Sequence, residues 1–429
     1  MTSRLLSFFL KYLAPYFQRK LVTILILGFV SGLPLLLSFG TLSAWLREAG
    51  VERSTIGLFA LVGLPYALKP IWAPLMDGLR LPFLTDLLGR RRAWLIASQV
   101  MLASAIIGLA YSDPKQAPVA MAVFAVLVAF FSASQDIVID AYRIETLPDE
   151  QQGMGAAMVT YGYRGGMLVA GAGTLFLADY WTWTHAYLVM SLLICIGMLI
   201  VILSPEPEAA LTPDLKNRSL RDWLMYYVVN PFSEFATRPG WILIILFVVT
   251  FKLGDAFLSV MTNPFYIDLG FSKTEIAEIT KLFGVLALGI GLFIGGILIK
   301  RFGMLITLVI TGILQAASNL IFAYQAIVGY DLTALTLTIA VENITGGMGT
   351  AAFVAYLSGL TNISFTATQY ALLSALMSLG RNILSSPSGY VVDALGWVDF
   401  FVFSVVMALP GLFLLLILVR WFPDHMGRK

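Results

Sequence analysis

The sequence predicts an all-α membrane protein of twelve transmembrane helices arranged as two six-helix bundles. Three observations point there. Hydrophobic residues fill 59% of the 429 positions, charged residues only 12%, and the mean hydropathy is +0.86, far from the mixture of a soluble globular chain. Apolar stretches of about 20 residues, enough to cross a bilayer, recur along the whole length. A long polar interval at 204–239, with Pro205, Pro207 and Pro213 followed by a mixed-charge amphipathic stretch at 220–235, divides them into two sets of six.

Taken in order, spans are predicted at 21–46, 54–76, 93–111, 117–141, 153–178 and 184–203, then at 241–266, 274–299, 304–324, 332–360, 366–392 and 400–421. These segments are too long and continuous for outer-membrane strands, which alternate over roughly ten residues. The domain plan follows: an N-terminal amphipathic segment at 1–20, a first bundle at 21–203, a linker at 204–239, a second bundle at 240–422 and a tail at 423–429. The apolar run 5–10 is too short for a signal-peptide core, and Arg4, Lys11, Arg19 and Lys20 around it suit a membrane-surface helix.

Lys and Arg fall unevenly. Arg90, Arg91, Arg92, Arg143, Lys216, Arg218, Arg221, Lys300, Arg301 and Arg420 lie on the side of the N-terminus, whereas the opposite loops hold Arg47, Arg53, Lys115 and Lys273. The positive-inside rule then places both termini in the cytoplasm of a multi-pass inner-membrane protein. The net charge of +2 follows from this arrangement and implies no nucleic-acid partner.

Ionisable side chains sit deep inside the apolar stretches: Lys69, Asp136, Asp140, Arg164, Lys252, Asp255, Lys281, Glu342 and Arg381. Each costs at least about 2.5 kcal/mol to insert, so each needs a partner, a wet cavity or a task. The surplus of cations among them suits an anionic solute. Arg164, Arg381, Lys69 and Lys281 are the candidate anion ligands, since a guanidinium matches a carboxylate with two parallel donors. The alternative is pairing between helices, Arg164 with Asp136 or Asp140 and Arg381 with Glu342 or Asp255.

Asp136 and Asp140 are four residues apart and share a helical face that Arg143 continues. Two carboxylates in apolar surroundings suit reversible protonation, unless Asp140 only fastens its span through Arg143 or Arg164. Lys252 and Asp255 are spaced to neutralise each other. Glu342 has no charged neighbour on its own helix, which makes it a candidate for proton coupling together with Asp136, Asp140 and Asp255. Tyr161, Tyr163, Gln135, Gln315, Asn319, Asn343, Gln369 and Tyr370 offer aromatic faces and amides for a sugar. Cys195, His185 and His425 form no metal-spaced cluster, and no nucleophile has a partnered base, so neither cofactor, metal nor enzyme chemistry is expected.

The halves resemble each other. GAAMVTYGYRGG matches ALLSALMSLGRN, setting Arg164 against Arg381, and AGVERSTIGLF matches LGFSKTEIAEI. Asp77 followed by Gly89, Arg90, Arg91 and Arg92 is similar to the inner-gate motif of major facilitator transporters, although the stretch 80–88 lengthens the loop. Gly295, Gly296, Lys300 and Arg301 are a remnant of it in the second half. Parallel halves of this kind imply a substrate site between them; read without the family, the arginine run is a positive-inside anchor.

The run SASQDIVIDA at 132–141, continued by LPDEQQGMGAAMVTYGYRGGMLVAG, resembles the AmpG muropeptide permease family. LGFVSGLPLLLSFGTLSAWL, PIWAPLMD, FKLGDAF, ENITGGMGTAAFVAYL and TATQYALLSALMSLGR match it in order, so the likeness covers nearly all twelve spans. It implies a monomeric, proton-coupled importer of GlcNAc-anhydroMurNAc and its peptides, anionic glycopeptides, moving from periplasm to cytoplasm by alternating access. The same family includes acetyl-CoA carriers and siderophore permeases, which with small peptides form the alternative solutes. Some members carry extra C-terminal helices that this sequence does not contain.

Overall fold

A computed structural model describes residues 14–51, 62–208, 219–385 and 387–421, and every regular element among them is helical. The principal helices are α1 (Arg19–Leu46), α2 (Ala73–Gly78), α3 (Arg90–Ala110), α4 (Pro118–Thr146), α5 (Gln152–Leu168), α6 (Trp183–Leu203), α7 (Trp241–Asp268), α8 (Glu278–Phe302), α9 (Met304–Val328), α10 (Leu332–Gly359), α11 (Thr366–Ser385) and α12 (Ser388–Trp421). Eight of the described helices are long and apolar enough to cross a membrane by length and composition. The long helices α5, α10 and α11 fall outside that set, and they are the ones bearing Arg164, the Glu342–Asn343 pair and Arg381.

Where helices bend, the sequence supplies the cause. Pro34 sits inside α1, and the backbone leaves helical geometry five residues later at Phe39. In α7 the helix breaks at Phe251 and Lys252, with Pro264 further on. The predicted span 54–76 lies partly outside the described residues; its remainder is a short helix Leu64–Leu68, a 3₁₀ turn Lys69–Ile71 and α2. At the C-terminal end the helix Ser388–Trp421 is kinked at Gly396, whose φ of +75° suits glycine, and this break falls between the predicted spans 366–392 and 400–421.

The chain forms two compact units, one drawn from Met1–Pro148, Met158–Pro231 and Thr361–Leu372, the other from Asp149–Ala157, Phe232–Leu360 and Leu373–Lys429. In the first, α4 packs on α1 and α3, and α6 on α1 and α3. Their core is Leu33, Leu37, Leu102, Ile106, Val128 and Tyr187. Helices α1 and α5 meet backbone to backbone: a Cβ at Gly32 would lie 2.1 Å from Tyr163 O, and one at Gly166 2.1 Å from Phe29 O. Small residues four apart permit this approach where burial from water cannot drive helix association.

In the second unit α8 packs on α10, while α9 packs on α10 and α12. Gly291 repeats the device, since a Cβ there would lie 2.1 Å from Ile344 O. The core is aromatic, with Phe257, Phe265, Phe322, Phe400 and Phe401 buried together and the Phe265 and Phe401 rings 4.7 Å apart, edge to face.

Candidate functional site: polar clusters on the transmembrane helices

Three polar clusters are built by these helices, two in the first unit and one in the second. The first surrounds Asp136 on α4. Ser31 Oγ, from α1, donates to its Oδ1 at 2.5 Å. Lys69, opening the 3₁₀ turn, lies close enough to act electrostatically on both Asp136 and Asp140. Beside Asp136 stand Tyr66, itself next to Ser132, and Tyr163, and among the described residues the buried Gln135 Oε1 has no hydrogen-bond partner. Gln135 Nε2 reaches Val30 O at 3.5 Å. This gathers the predicted residues Lys69, Gln135, Asp136 and Asp140 around one stretch of α4. Ser31 and Tyr66 had no charge to mark them in the sequence.

Asp140 Oδ1 pairs with Arg143 at 3.7 Å, one of the two partners the spacing allows. Arg164, on α5, is exposed, with Nη1 3.9 Å from Met167 Sδ. Tyr161 is half-buried on the same helix. Tyr370 lies under the Arg143 guanidinium instead of in an open sugar site, 5.4 Å from ring centre to Cζ. Gln369 also departs from its predicted sugar-binding role: Oε1 accepts from Asn362 N at 2.7 Å and Nε2 donates to Pro231 O at 3.0 Å. With its amide holding backbone at both ends, Gln369 is a structural clip here.

The second cluster is at the ends of α2, α3 and α4. Arg91, 1% exposed, donates to Asp77 Oδ1 at 2.8 Å, to Glu145 Oε1 at 2.5 Å and Oε2 at 2.9 Å, and to Met76 O at 3.0 Å. Arg90 adds Asp77 O at 3.1 Å and Glu145 at 3.4 Å. Asp77 accepts in turn from Thr368 N at 2.9 Å, Thr368 Oγ1 at 2.8 Å and Ala367 N at 3.2 Å. A carboxylate placed on the first free amides of α11 satisfies donors that the helix cannot satisfy itself and favours the positive end of its dipole. Gly89, at φ +89°, has Glu206 directly over it, and Glu206 accepts from Arg91 N at 2.7 Å and Arg92 N at 3.1 Å.

The motif residues Asp77, Gly89, Arg90 and Arg91 thus meet, and the structure adds Glu145, Glu206, Ala367 and Thr368. Of these only Glu145 carried a signal, as an acid near the end of a span. Thr368 is 291 residues from Asp77, beyond any local pattern.

The third cluster lies on α7, α9 and α10. Lys252 Nζ donates to Gln315 Oε1 at 2.9 Å and sits 3.4 Å from Asp255 Oδ2, while Gln315 Nε2 donates to the same Asp255 oxygen. Glu342 accepts from Asn343 Nδ2 at 2.7 Å, and its charge acts on Lys252 and Tyr266. Asn343 also donates to Ile339 O at 3.0 Å, and Asn319 donates to Ser404 at 3.1 Å. The predicted Lys252–Asp255 contact is present, with Gln315 bridging it. The side chains of Lys281 and Arg381 lie outside the described residues.

The chain matches the model of the Major Facilitator Superfamily over residues 24–263. It is 44% identical over 409 residues to the anhydromuropeptide permease of Escherichia coli K12, covering 95% of this chain and 81% of that protein. A Rickettsia conorii transporter named AmpG 4 is 38% identical, with 93% of this chain and 96% of that one covered. Among solved structures, the human organic anion transporter MFSD10 superposes with a TM-score of 0.68 at 17% identity, covering 92% of this chain and 99% of that one. The proton:xylose symporter XylE also reaches 0.68, at 12% identity and 97% and 98% coverage. At such identities these two likenesses speak for the fold alone.

Proposed function

Because this chain belongs to the AmpG family of the major facilitator superfamily, we propose that it imports anhydromuropeptides from periplasm to cytoplasm through the inner membrane by proton-coupled alternating access. It is a multi-pass membrane transporter and not an enzyme. The observation that carries the solute is 44% identity to a named anhydromuropeptide permease over 95% of the chain. In this reading GlcNAc-anhydroMurNAc and its peptides present a lactyl or stem carboxylate to Arg164, Arg381, Lys69 and Lys281. Tyr161, Gln135 and Asn343 serve the sugar hydroxyls and ring faces.

Coupling requires a carboxylate whose proton affinity differs between the two access states, because only a state-dependent affinity lets the gradient bias the cycle. Asp136 and Glu342 are assigned that role, with Asp140 and Asp255 in support. Asp136 fits because Ser31 donates to it and Lys69 acts on it, so its partners can exchange when helices move. The Asp77–Gly89–Arg90–Arg91 cluster is assigned the inner gate, since Asp77 binds the first amides of α11 and must release them if that helix end moves. The transporter acts as a monomer with both termini cytoplasmic. Uptake of labelled GlcNAc-anhydroMurNAc into proteoliposomes under an inward proton gradient tests the proposal, with acetyl-CoA and a ferric siderophore as competitors. Saturable uptake that survives both competitors and collapses with a protonophore is expected; displacement by either competitor alone would reassign the solute.

A further inference from the structure

We infer that Arg143 is a carboxylate-binding residue of the transport path, held in reserve beneath Tyr370; the inference rests on the proposed anionic glycopeptide substrate. The Arg143 side chain is 0% exposed, yet among the described residues no acceptor meets its Nε, Nη1 or Nη2 at full hydrogen-bonding geometry, Asp140 and Tyr370 being its nearby polar neighbours. Its ion pair with Asp140 is 3.7 Å long, beyond the about 2.7 to 2.9 Å of a charge-assisted hydrogen bond. The Tyr370 ring lies against the guanidinium, 5.4 Å from its centre to Cζ. Buried polar groups are almost always hydrogen-bonded, and a buried cation in a membrane span that is not demands a reason.

The comparison with Arg91 sharpens this. Both arginines are fully buried near the same end of the first unit, a single residue of α4 separating Arg143 from Glu145. Arg91 spends its donors on Asp77, Glu145 and Met76 O. Arg143 faces the Asp140 carboxylate at 3.7 Å, which balances its charge without the short, directed contacts that Arg91 makes. Such an arrangement keeps a planar fork ready for another planar anion.

Position supports the same reading. Ser132, Asp136, Asp140 and Arg143 follow one another at helical spacing, so they form one polar stripe along α4. Among the described residues the stripe carries polar atoms short of full hydrogen-bonding geometry at two of its steps, Ser132 Oγ beside Tyr66 and the Arg143 guanidinium, with Gln135 Oε1 next to the stripe. A solute carboxylate handed along that stripe past Lys69 meets Arg143 as the next cation. Tyr370 must swing aside for it to dock, which makes Arg143 a station of a later step and not of first capture.

The test is equilibrium binding to purified protein in nanodiscs, using GlcNAc-anhydroMurNAc with its free lactyl carboxylate and the neutral methylamide of the same group. The parent is expected to prefer the acid. Arg143→Gln should weaken the acid at least tenfold while moving the methylamide much less, and Arg143→Lys should recover part of the preference. Should the lone Gln variant misfold around an unpaired Asp140, Asp140→Asn combined with Arg143→Gln removes both charges and reads the same ratio. An acid-to-amide ratio equal to the parent's in the folded variants, or equal losses for both ligands, overturns the inference and leaves Arg143 structural. A parent that binds neither ligand instead overturns the proposed solute, and the inference falls with it.

Discussion

Arg91 stands between two buried carboxylates, and removing it would leave Asp77 without its ion-pair partner and Glu145 with only the longer contact to Arg90. Breaking a buried ion pair from one side costs about 3 to 5 kcal/mol. Arg91→Ala should therefore lower the thermal midpoint of the detergent-solubilised protein sharply, and Arg91→Lys should lie between the two because it keeps the charge and loses the fork. Asp136→Asn and Glu342→Gln test coupling: each should abolish gradient-driven accumulation yet preserve exchange across preloaded vesicles. Accumulation that persists in both, and in the double variant, would move coupling to Asp140 or Asp255. After α7, Glu275 accepts from Ser272 N at 2.8 Å and from the hydroxyl of Tyr330, between α9 and α10, at 2.7 Å, and these donors hold its carboxyl below the ordinary range. A depressed carboxylate stabilises the cap above the unfolded Glu value, and that contribution is lost as pH falls through the folded value. Tyr330→Phe should move the acid-side loss of amide protection at Ser272 to higher pH. The sequence exposed the charged members of these clusters because charge inside an apolar span is rare. It hid Ser31, Tyr66 and Thr368, ordinary polar residues whose importance comes from what lies across from them.

Helix to helix, the glycines set the closest approaches. Gly166→Ala would drive a Cβ against Phe29 O, whereas at neighbouring Gly165 the nearest atom to a new Cβ is Phe29 Cδ2 at 3.6 Å. The first substitution should destabilise by about 1 to 3 kcal/mol or prevent assembly, and the second should be nearly neutral; thermal unfolding of the two variants side by side decides it. Most spans were legible because an apolar run of bilayer length has few other readings. The extra backbone turns at Val169–Gly173 and Ala277–Phe283 were not, since a π segment changes register without changing composition. The division between the last two spans was legible, since Gly396, where the backbone leaves helical geometry, lies in the interval predicted between them.

For the whole molecule, the Lys and Arg asymmetry makes topology the property most directly open to test. Cys195 is the one cysteine of the chain, so Cys195→Ser gives a clean background. Cysteines introduced at Lys115 and near either terminus should then label oppositely in intact cells: Lys115→Cys reacts with an impermeant maleimide and the termini do not. Labelling of one terminus but not the other would break the even number of crossings.

The hold of Asp77 on Thr368 also fixes an order of events during biosynthesis. At about 5 to 20 residues per second, the ribosome needs roughly 15 to 60 s to travel the 291 residues between them. During that interval Asp77 can find Arg91, which also binds Glu145, but not the amides of Ala367 and Thr368. The first unit, begun earliest, is therefore completed only after most of the second has been made, and a nascent chain released before residue 361 would carry an unfinished first unit to the quality-control machinery of the membrane.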